Sequence, residues 1–230
     1  MSPACRLDGC SIGVISATML RGFAIAPLVL LSGMALAADD GLVKAPYVEV
    51  GDCWTYKATN IDNRGPIGDY EECVTFVDRI KKVILAVVTV KADGREIETS
   101  YSSEWAPRTT ISGLILTPVS KEPPARFPLK VGDTYTEERE FRRTLLGPVG
   151  GTNVTTFRVV GWEDVTVPAG KFRALKIEGD GTSKRADMGR SVPIKQEFWY
   201  VPEVNRYVKI RFLSPALDYG AELTSYRLNR

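Results

Sequence analysis

Between residues 38 and 230, apolar and polar residues alternate in short runs that are separated by Gly, Pro, Asn and Asp. This period of two is typical of β-strands, and no stretch in that range shows convincing helical spacing. The clearest runs are Val165–Val167 and Phe172–Ile177, which flank the turn formers Pro168 and Gly170. Pro168 presets φ for the first corner, and Gly170 accepts the left-handed conformation that closes a three-residue loop. This segment predicts a β-hairpin around which the rest of the chain is organised.

A second hairpin is predicted from the apolar run Val83–Ala92 and the alternating run Arg95–Tyr101. Asp93 and Gly94 stand between the two runs, and this dipeptide is typical of a type I′ turn. Apolar residues occupy both faces of Val83–Ala92. We therefore expect a central strand that is covered on both sides.

The C-terminal part of the chain predicts a third hairpin and a last strand. The runs Gln196–Val201 and Tyr207–Phe212 are joined by the turn Pro202–Asn205, and Glu222–Leu228 follows. The charged run Glu137–Arg143 is interpreted as the solvated face of a long strand. These patterns together predict a mostly β, antiparallel fold.

The first 37 residues have a different character. Basic residues precede the apolar run Phe23–Leu36, and Ala35 and Ala37 are the small residues that signal peptidase requires. We therefore expect residues 1–37 to be a secretory signal peptide and residues 38–230 to form a single β domain. An uncleaved N-terminal anchor is the alternative. No later run is long enough to span a bilayer, so the predicted location is periplasmic or secreted.

Cysteine usage agrees with export, because Cys53 and Cys73 are the two cysteines that follow the predicted signal peptide. Two thiols in an oxidising compartment favour one disulfide. If the strands on either side of a loop around Asn63 form a hairpin, Cys53 lies directly opposite Cys73 at a distance that a disulfide can bridge. Two separately buried thiols remain the alternative.

Two short segments of the chain are similar in sequence, which raises the question of an internal repeat. Val50–Thr55 and Val131–Thr136 both contain Val-Gly-Asp ahead of a predicted strand. An internal repeat would divide the domain into two similar β lobes, 38–120 and 128–230. Because Gly-Asp before a strand is common, chance similarity is left open.

Composition excludes several kinds of active site. The chain contains no His, so a Ser-His-Asp triad, a Cys-His pair and a His-ligated zinc site are all excluded. Glu71 and Glu72 are neighbours on a strand and point to opposite faces, as do Glu163 and Asp164. They cannot act as an acid and a base on one bond, although carboxylates from different strands are left open. We expect no enzymatic activity, and no catalytic, cofactor-binding or metal site.

The charge balance also limits the partners. The chain has 30 Lys and Arg against 28 Asp and Glu, a formal net charge of +2. Such a balance gives no reason to expect a nucleic-acid partner.

Three motifs resemble the DUF3108-like bacterial envelope proteins. They are the Gly51-Asp52 opening, the phrase Val165–Ile177, and Trp199–Val204 followed by Val208-Lys209. Lys171 stands where that family's phrase has Thr, on a loop flank where the change is small. The resemblance implies an exported, antiparallel curved sheet, of half-barrel or open barrel-like form, with no established activity.

Two hypotheses for function follow from these expectations. The first is a periplasmic binding or carrier module, whose concave, aromatic-rich sheet holds an apolar or polymeric ligand. The second is an envelope structural or interaction protein that pairs with an envelope partner through exposed strand edges.

Overall fold

The computed structural model describes residues 41–60, 66–105, 107–112, 115–117, 126–143, 149–186, 189–215 and 217–230. The predicted signal peptide and its cleavage site lie outside these residues. The described residues belong to one compact unit that extends from Asp39 to Arg230. Among them, no helix is both long and apolar enough to cross a membrane.

Twelve strands account for most of the described chain. They are β1 (Cys53–Asn60), β2 (Pro66–Asp78), β3 (Val83–Val90), β4 (Glu96–Ser102), β5 (Pro107–Ser112), β6 (Ile115–Thr117), β7 (Thr134–Arg143), β8 (Val149–Val167), β9 (Gly170–Arg185), β10 (Ser191–Val201), β11 (Arg206–Ser214) and β12 (Leu217–Arg227). A 3₁₀ turn, Pro202–Val204, connects β10 to β11.

All strand pairs are antiparallel and form one curled sheet. Each strand pairs with its neighbours in sequence, and β1 also pairs with β12, so the pairings run around a barrel-like ring. The thinnest link lies between β6 and β7, where two residues of β6, Ile115 and Leu116, are in register. The prediction of an all-β, antiparallel curved sheet is confirmed. The strand pairings continue around the barrel-like ring beyond the half-barrel that was expected.

A curled single sheet has one inner face, and this decides which side of each strand is buried. In β3, Ile84 and Ala86 are buried, whereas Leu85 on the opposite face is 39% exposed. Phe76 of β2, which lies opposite Leu85, is exposed as well. The expectation that both faces of this strand are covered is therefore wrong, because no second layer of the described chain lies outside it.

The organising hairpin is formed by β8 and β9. Val167 pairs with Gly170, so Pro168 and Ala169 form a two-residue loop rather than the expected three-residue one. Gly170 has a φ of +140°, a positive value that side-chain-bearing residues rarely adopt. The hairpin extends beyond β7 and β10, and Ala169 N donates a 2.9 Å hydrogen bond to the carbonyl of Leu223 in β12. Its end is thus anchored to the far side of the sheet.

The β3–β4 hairpin is present, but its turn differs from the type I′ turn that was expected. The amide of Val90 donates to the carbonyl of Arg95 at 2.9 Å, which leaves a four-residue loop of 91–94. Gly94 has a φ of +69°, whereas Asp93 does not have a positive φ. A type I′ turn needs positive φ at both central residues, so that assignment is wrong.

The two Val-Gly-Asp segments have the same local structure. The amide of Gly51 donates a hydrogen bond to the carbonyl of Val74, and the amide of Gly132 donates one to the carbonyl of Val159. The φ angles of the two glycines are +93° and +95°. The Asp52 carboxylate accepts from the amide of the residue three positions before it, Glu49, at 2.9 Å, and the equivalent bond to Asp133 is 3.0 Å. The similarity is limited to these two turns, and the internal repeat stays a prediction.

Cys53 and Cys73 are direct partners in the β1–β2 ladder, with a Cα–Cα distance of 4.1 Å, and they form a disulfide. The pairing is the one expected from the hairpin. It closes a loop with a sequence separation of 20, and it joins the first residue of β1 to the middle of β2.

Candidate functional site

The inner face of the sheet encloses a cavity of about 370 Å³. Much of its wall is apolar and comes from three strands: Val88 of β3, Phe198 of β10, and Ile210 and Phe212 of β11. The alternation of inward and outward side chains places these residues inside, because each lies two or four positions from another inward residue on its strand. The cavity is within the size range of small-molecule sites.

Four tyrosines add hydroxyl groups to this wall: Tyr70, Tyr101, Tyr207 and Tyr219. The hydroxyls of Tyr70 and Tyr219, which lie on the two strands that flank β1, are 3.4 Å apart. Burial raises the pKa of all four phenols above the ordinary value. They therefore remain protonated and uncharged at neutral pH.

A buried ion pair joins Glu72 of β2 to Arg206 of β11. Glu72 is 2% exposed and Arg206 is 9% exposed. Burial lowers the pKa of Arg206, but Glu72, Tyr101 and Tyr56 together outweigh that effect, so the net direction is upward. The guanidinium of Arg206 also stacks on Trp105, with 3.6 Å from its central carbon to the ring centroid. Arg206 is thus held as a cation by a carboxylate on one side and an aromatic face on another.

The backbone around Arg206 is held in place by three buried donors. Trp54 Nε1 donates to the carbonyl of Val204 at 2.9 Å, and Trp105 Nε1 donates to that of Asn205 at 2.8 Å. The Tyr56 hydroxyl donates to the carbonyl of Tyr207 at 2.7 Å. All three donors come from the first half of the chain. Two of the acceptors lie in the turn between β10 and β11, and the third, Tyr207, lies at the start of β11. Trp105 has a φ of +61°, an uncommon conformation for a bulky residue. Packing and hydrogen bonding therefore override local backbone preference at this position.

A second ion pair lies elsewhere along the inner face. Arg139 Nη2 is 2.7 Å from Glu137 Oε1, and Glu137 is 4% exposed. Both residues follow Tyr135 on the inward side of β7. The interpretation of the whole run Glu137–Arg143 as a solvated face is therefore wrong for Glu137 and Arg139, which alternate inward.

Four buried polar atoms of the cavity-lining residues have no hydrogen-bond partner in the described part of the chain. They are Glu72 Oε1, Arg206 Nη1, Arg139 Nε and the hydroxyl of Tyr207. Buried polar atoms are nearly always paired, so each of these is a position where a ligand or a water molecule fits. The cavity thus combines apolar walls with a few unpaired polar atoms.

The site residues expected from the sequence all lie away from this cavity. Cys53 and Cys73 are at the start of the β1–β2 pair, Pro168 and Gly170 at the end of the β8–β9 hairpin, and Asp93 and Gly94 in the β3–β4 loop. None of these six described residues contributes to the cavity wall.

Sequence reasoning missed Glu72, Arg139, Arg206 and Tyr207 as members of a site. For Glu72 the available signal was strand alternation, because it lies between the inward residues Tyr70 and Val74. Alternation could not have identified Tyr207, because the β10–β11 register shifts between Trp199 and Tyr200. In the part of the chain that is described, no three Cys, Asp or Glu side chains are grouped to hold a metal ion.

No family model matches the chain, and no curated protein matches it significantly. The fold is similar to that of a solved protein from Bacteroides fragilis, provisionally described as exported and as having a YmcC-like fold, with a TM-score of 0.52. The identity is 14%, and the match covers 80% of this chain and 99% of that chain. The hypothetical lipoprotein YmcC from Escherichia coli is more distant, with a TM-score of 0.48, 10% identity, and coverage of 76% and 84%. The first match shows the fold, and the resemblance to DUF3108-like proteins stays a prediction.

Proposed function

We propose that this chain is an exported, non-enzymatic binding module that holds a small, mainly apolar molecule in the cavity of its curled sheet. The main support for this proposal is the cavity of about 370 Å³, which combines the apolar side chains of β3, β10 and β11 with four unpaired buried polar atoms. Apolar walls with a small number of fixed polar groups are typical of sites for small ligands.

Export is supported by two independent features. Residues 1–37 have the order of basic segment, apolar core and Ala-x-Ala end that secretory signals share. The Cys53–Cys73 disulfide suits an oxidising compartment. Sequencing the N-terminus of the protein purified from its native host tests this part, with Ala38 expected as the first residue. A mature chain that retains Met1 would contradict it.

The alternative, an envelope interaction protein that pairs through strand edges, has less support. Each of the twelve described strands has a neighbour on both sides, and among the described residues the longer unpaired edges lie at the end of the β8–β9 hairpin and along β7, of which only Arg142 and Arg143 pair with β6. Val165, Val167 and Ala174 in that hairpin end are buried against the same cluster as Leu223. Packing of this kind favours an intramolecular role for the hairpin over recruitment of a partner.

The binding role can be tested with a fluorescent apolar probe, N-phenyl-1-naphthylamine, and two matched variants. Val88→Trp adds bulk inside the cavity, whereas Val87→Trp adds the same bulk to the opposite face of β3. We expect the wild type and Val87→Trp to bind the probe and Val88→Trp to bind at least tenfold more weakly. The proposal fails if the wild type does not bind, or if both variants bind equally well.

A further inference from the structure

We propose that the natural ligand carries an uncharged polar group, such as a carboxamide or a hydroxyl, on its apolar body. This inference rests on the proposed function, since it concerns the same cavity. It is carried by the charge balance of the inner face and by the chemistry of its unpaired atoms.

The described inner-face charges cancel in pairs. Glu72 is paired with Arg206, and Glu137 with Arg139. Each arginine therefore has its own carboxylate, and the phenols nearby are protonated. A ligand that brought a net charge into this buried space would lose its hydration without meeting an uncompensated opposite charge.

The unpaired atoms include both an acceptor and donors. Glu72 Oε1 can only accept, Arg206 Nη1 and Arg139 Nε can only donate, and the Tyr207 hydroxyl can do either. A carboxylate would satisfy the donors but would repel Glu72 Oε1 and leave it unpaired. An ammonium group would pair with Glu72 but would leave the arginine donors unsatisfied. A carboxamide or hydroxyl donates and accepts at once, so it complements both sets without adding charge.

The wall of the cavity suits such an amphipathic molecule. Aromatic rings shield the guanidinium of Arg206, whose central carbon lies 3.6 Å from the ring centre of Trp105 and 5.1 Å from that of Tyr101. Val88, Ile210 and Phe212 provide wall for the apolar body. Hydrogen bonds in this shielded region are stronger than in water, which increases the penalty for a mismatched head group.

The test uses three ligands with the same eight-carbon chain: octanamide, octanoic acid and octylamine. Each is titrated against the mature wild-type chain loaded with N-phenyl-1-naphthylamine at pH 7.5. We expect octanamide to displace the probe at a concentration at least tenfold below either charged ligand. Equal or stronger displacement by octanoic acid or octylamine overturns the inference while leaving the binding role intact. Failure of the probe itself to bind removes the binding role.

A charge-changing variant adds a directional check. Glu72→Gln removes one negative charge beside Arg206, and it should shift the preference toward octanoic acid at least tenfold relative to octanamide. Glu71→Gln is the matched control, because Glu71 is the adjacent residue on β2, faces outward and pairs with Lys91 at 3.2 Å. It should leave the preference unchanged. An unchanged preference in folded Glu72→Gln overturns the inference, and if that variant does not fold, the wild-type series still decides.

Discussion

Arg206→Met removes the cation from the buried ion pair while keeping an unbranched side chain that can fill most of the same space. The carboxylate of Glu72, which is 2% exposed, would then have its charge uncompensated. Removing one partner from a buried pair typically destabilises a protein by about 3 to 5 kcal/mol. The lost stacking on Trp105 is included in that figure, since a desolvated cation–π contact contributes up to about 2 kcal/mol. We expect the free energy of unfolding to fall by about 3 to 5 kcal/mol.

Urea denaturation followed by tryptophan fluorescence measures this change, because Trp54 and Trp105 surround the substituted residue. A double-mutant cycle with Glu72→Leu separates pairing from packing. The double variant has neither charge, so it should recover most of the stability that Arg206→Met loses. Lys91→Met is the control, because Lys91 forms an exposed pair whose loss should lower stability by less than about 1 kcal/mol.

Two outcomes would refute this reasoning. If Arg206→Met and Lys91→Met lose similar amounts of stability, the Glu72–Arg206 pair is not desolvated in solution. If the double variant is destabilised by the sum of the two single variants, the two side chains are not energetically coupled.

Three further predictions concern the framework around the cavity. Replacing Cys53 and Cys73 together by Ala should lower the free energy of unfolding by about 3 kcal/mol on the chain-entropy account, because it opens a loop with a sequence separation of 20; non-reducing urea denaturation measures it. Gly179→Ala should lower the free energy of unfolding by about 1 to 3 kcal/mol, because the added Cβ would lie 2.5 Å from the ring of the fully buried Phe157. The melting temperature measures this change. Gly170→Val should lower the free energy of unfolding by roughly 1 to 2 kcal/mol, because a φ of +140° is unfavourable for a β-branched residue. Differential scanning calorimetry measures this loss.

Each of these predictions has its own control. Dithiothreitol should weaken the wild type but leave the double Cys variant unchanged, and two free thiols in the oxidised protein would reject the disulfide. Asp180→Ala alters the exposed neighbour of Gly179 and should change the melting temperature little; an equal loss from both variants would show that the contact with Phe157 is relaxed easily. Ala169→Ser should be nearly silent, whereas equal melting temperatures for wild type and Gly170→Val would show that the turn is not built as described.

The outline of the fold could be predicted because it depends on interactions between residues that are close in sequence. Alternating side chains and turn formers determine a hairpin locally, so the β8–β9 and β10–β11 pairs were both identified. The pairing of Cys53 with Cys73 followed from the same local register. Turn details were less predictable: the Asp93-Gly94 dipeptide is compatible with more than one loop length, and the strand register selects among them.

The cavity could not be predicted, because its residues come together only when the sheet curls. Glu72 and Arg206 are 134 positions apart. Arg206 reaches its place through hydrogen bonds from Trp54, Trp105 and Tyr56 to backbone carbonyls in the β10–β11 turn and at the start of β11. Nothing in the local sequence distinguishes this arginine from an exposed one. The same holds for Arg139, which lies in a charged run where alternate residues face opposite environments.

By itself, the sequence determined the β3–β4, β8–β9 and β10–β11 hairpins, the disulfide partners and the absence of histidine chemistry, since each depends on residue type or on short-range geometry. The tertiary structure alone decided which face of each strand became the interior. Period-two alternation separates two faces but does not say which of them will be buried, and in β3 both were apolar. Pairing of β1 with β12 curls the sheet, and this curvature turns one face into a lined cavity and leaves Leu85 on the other exposed to solvent.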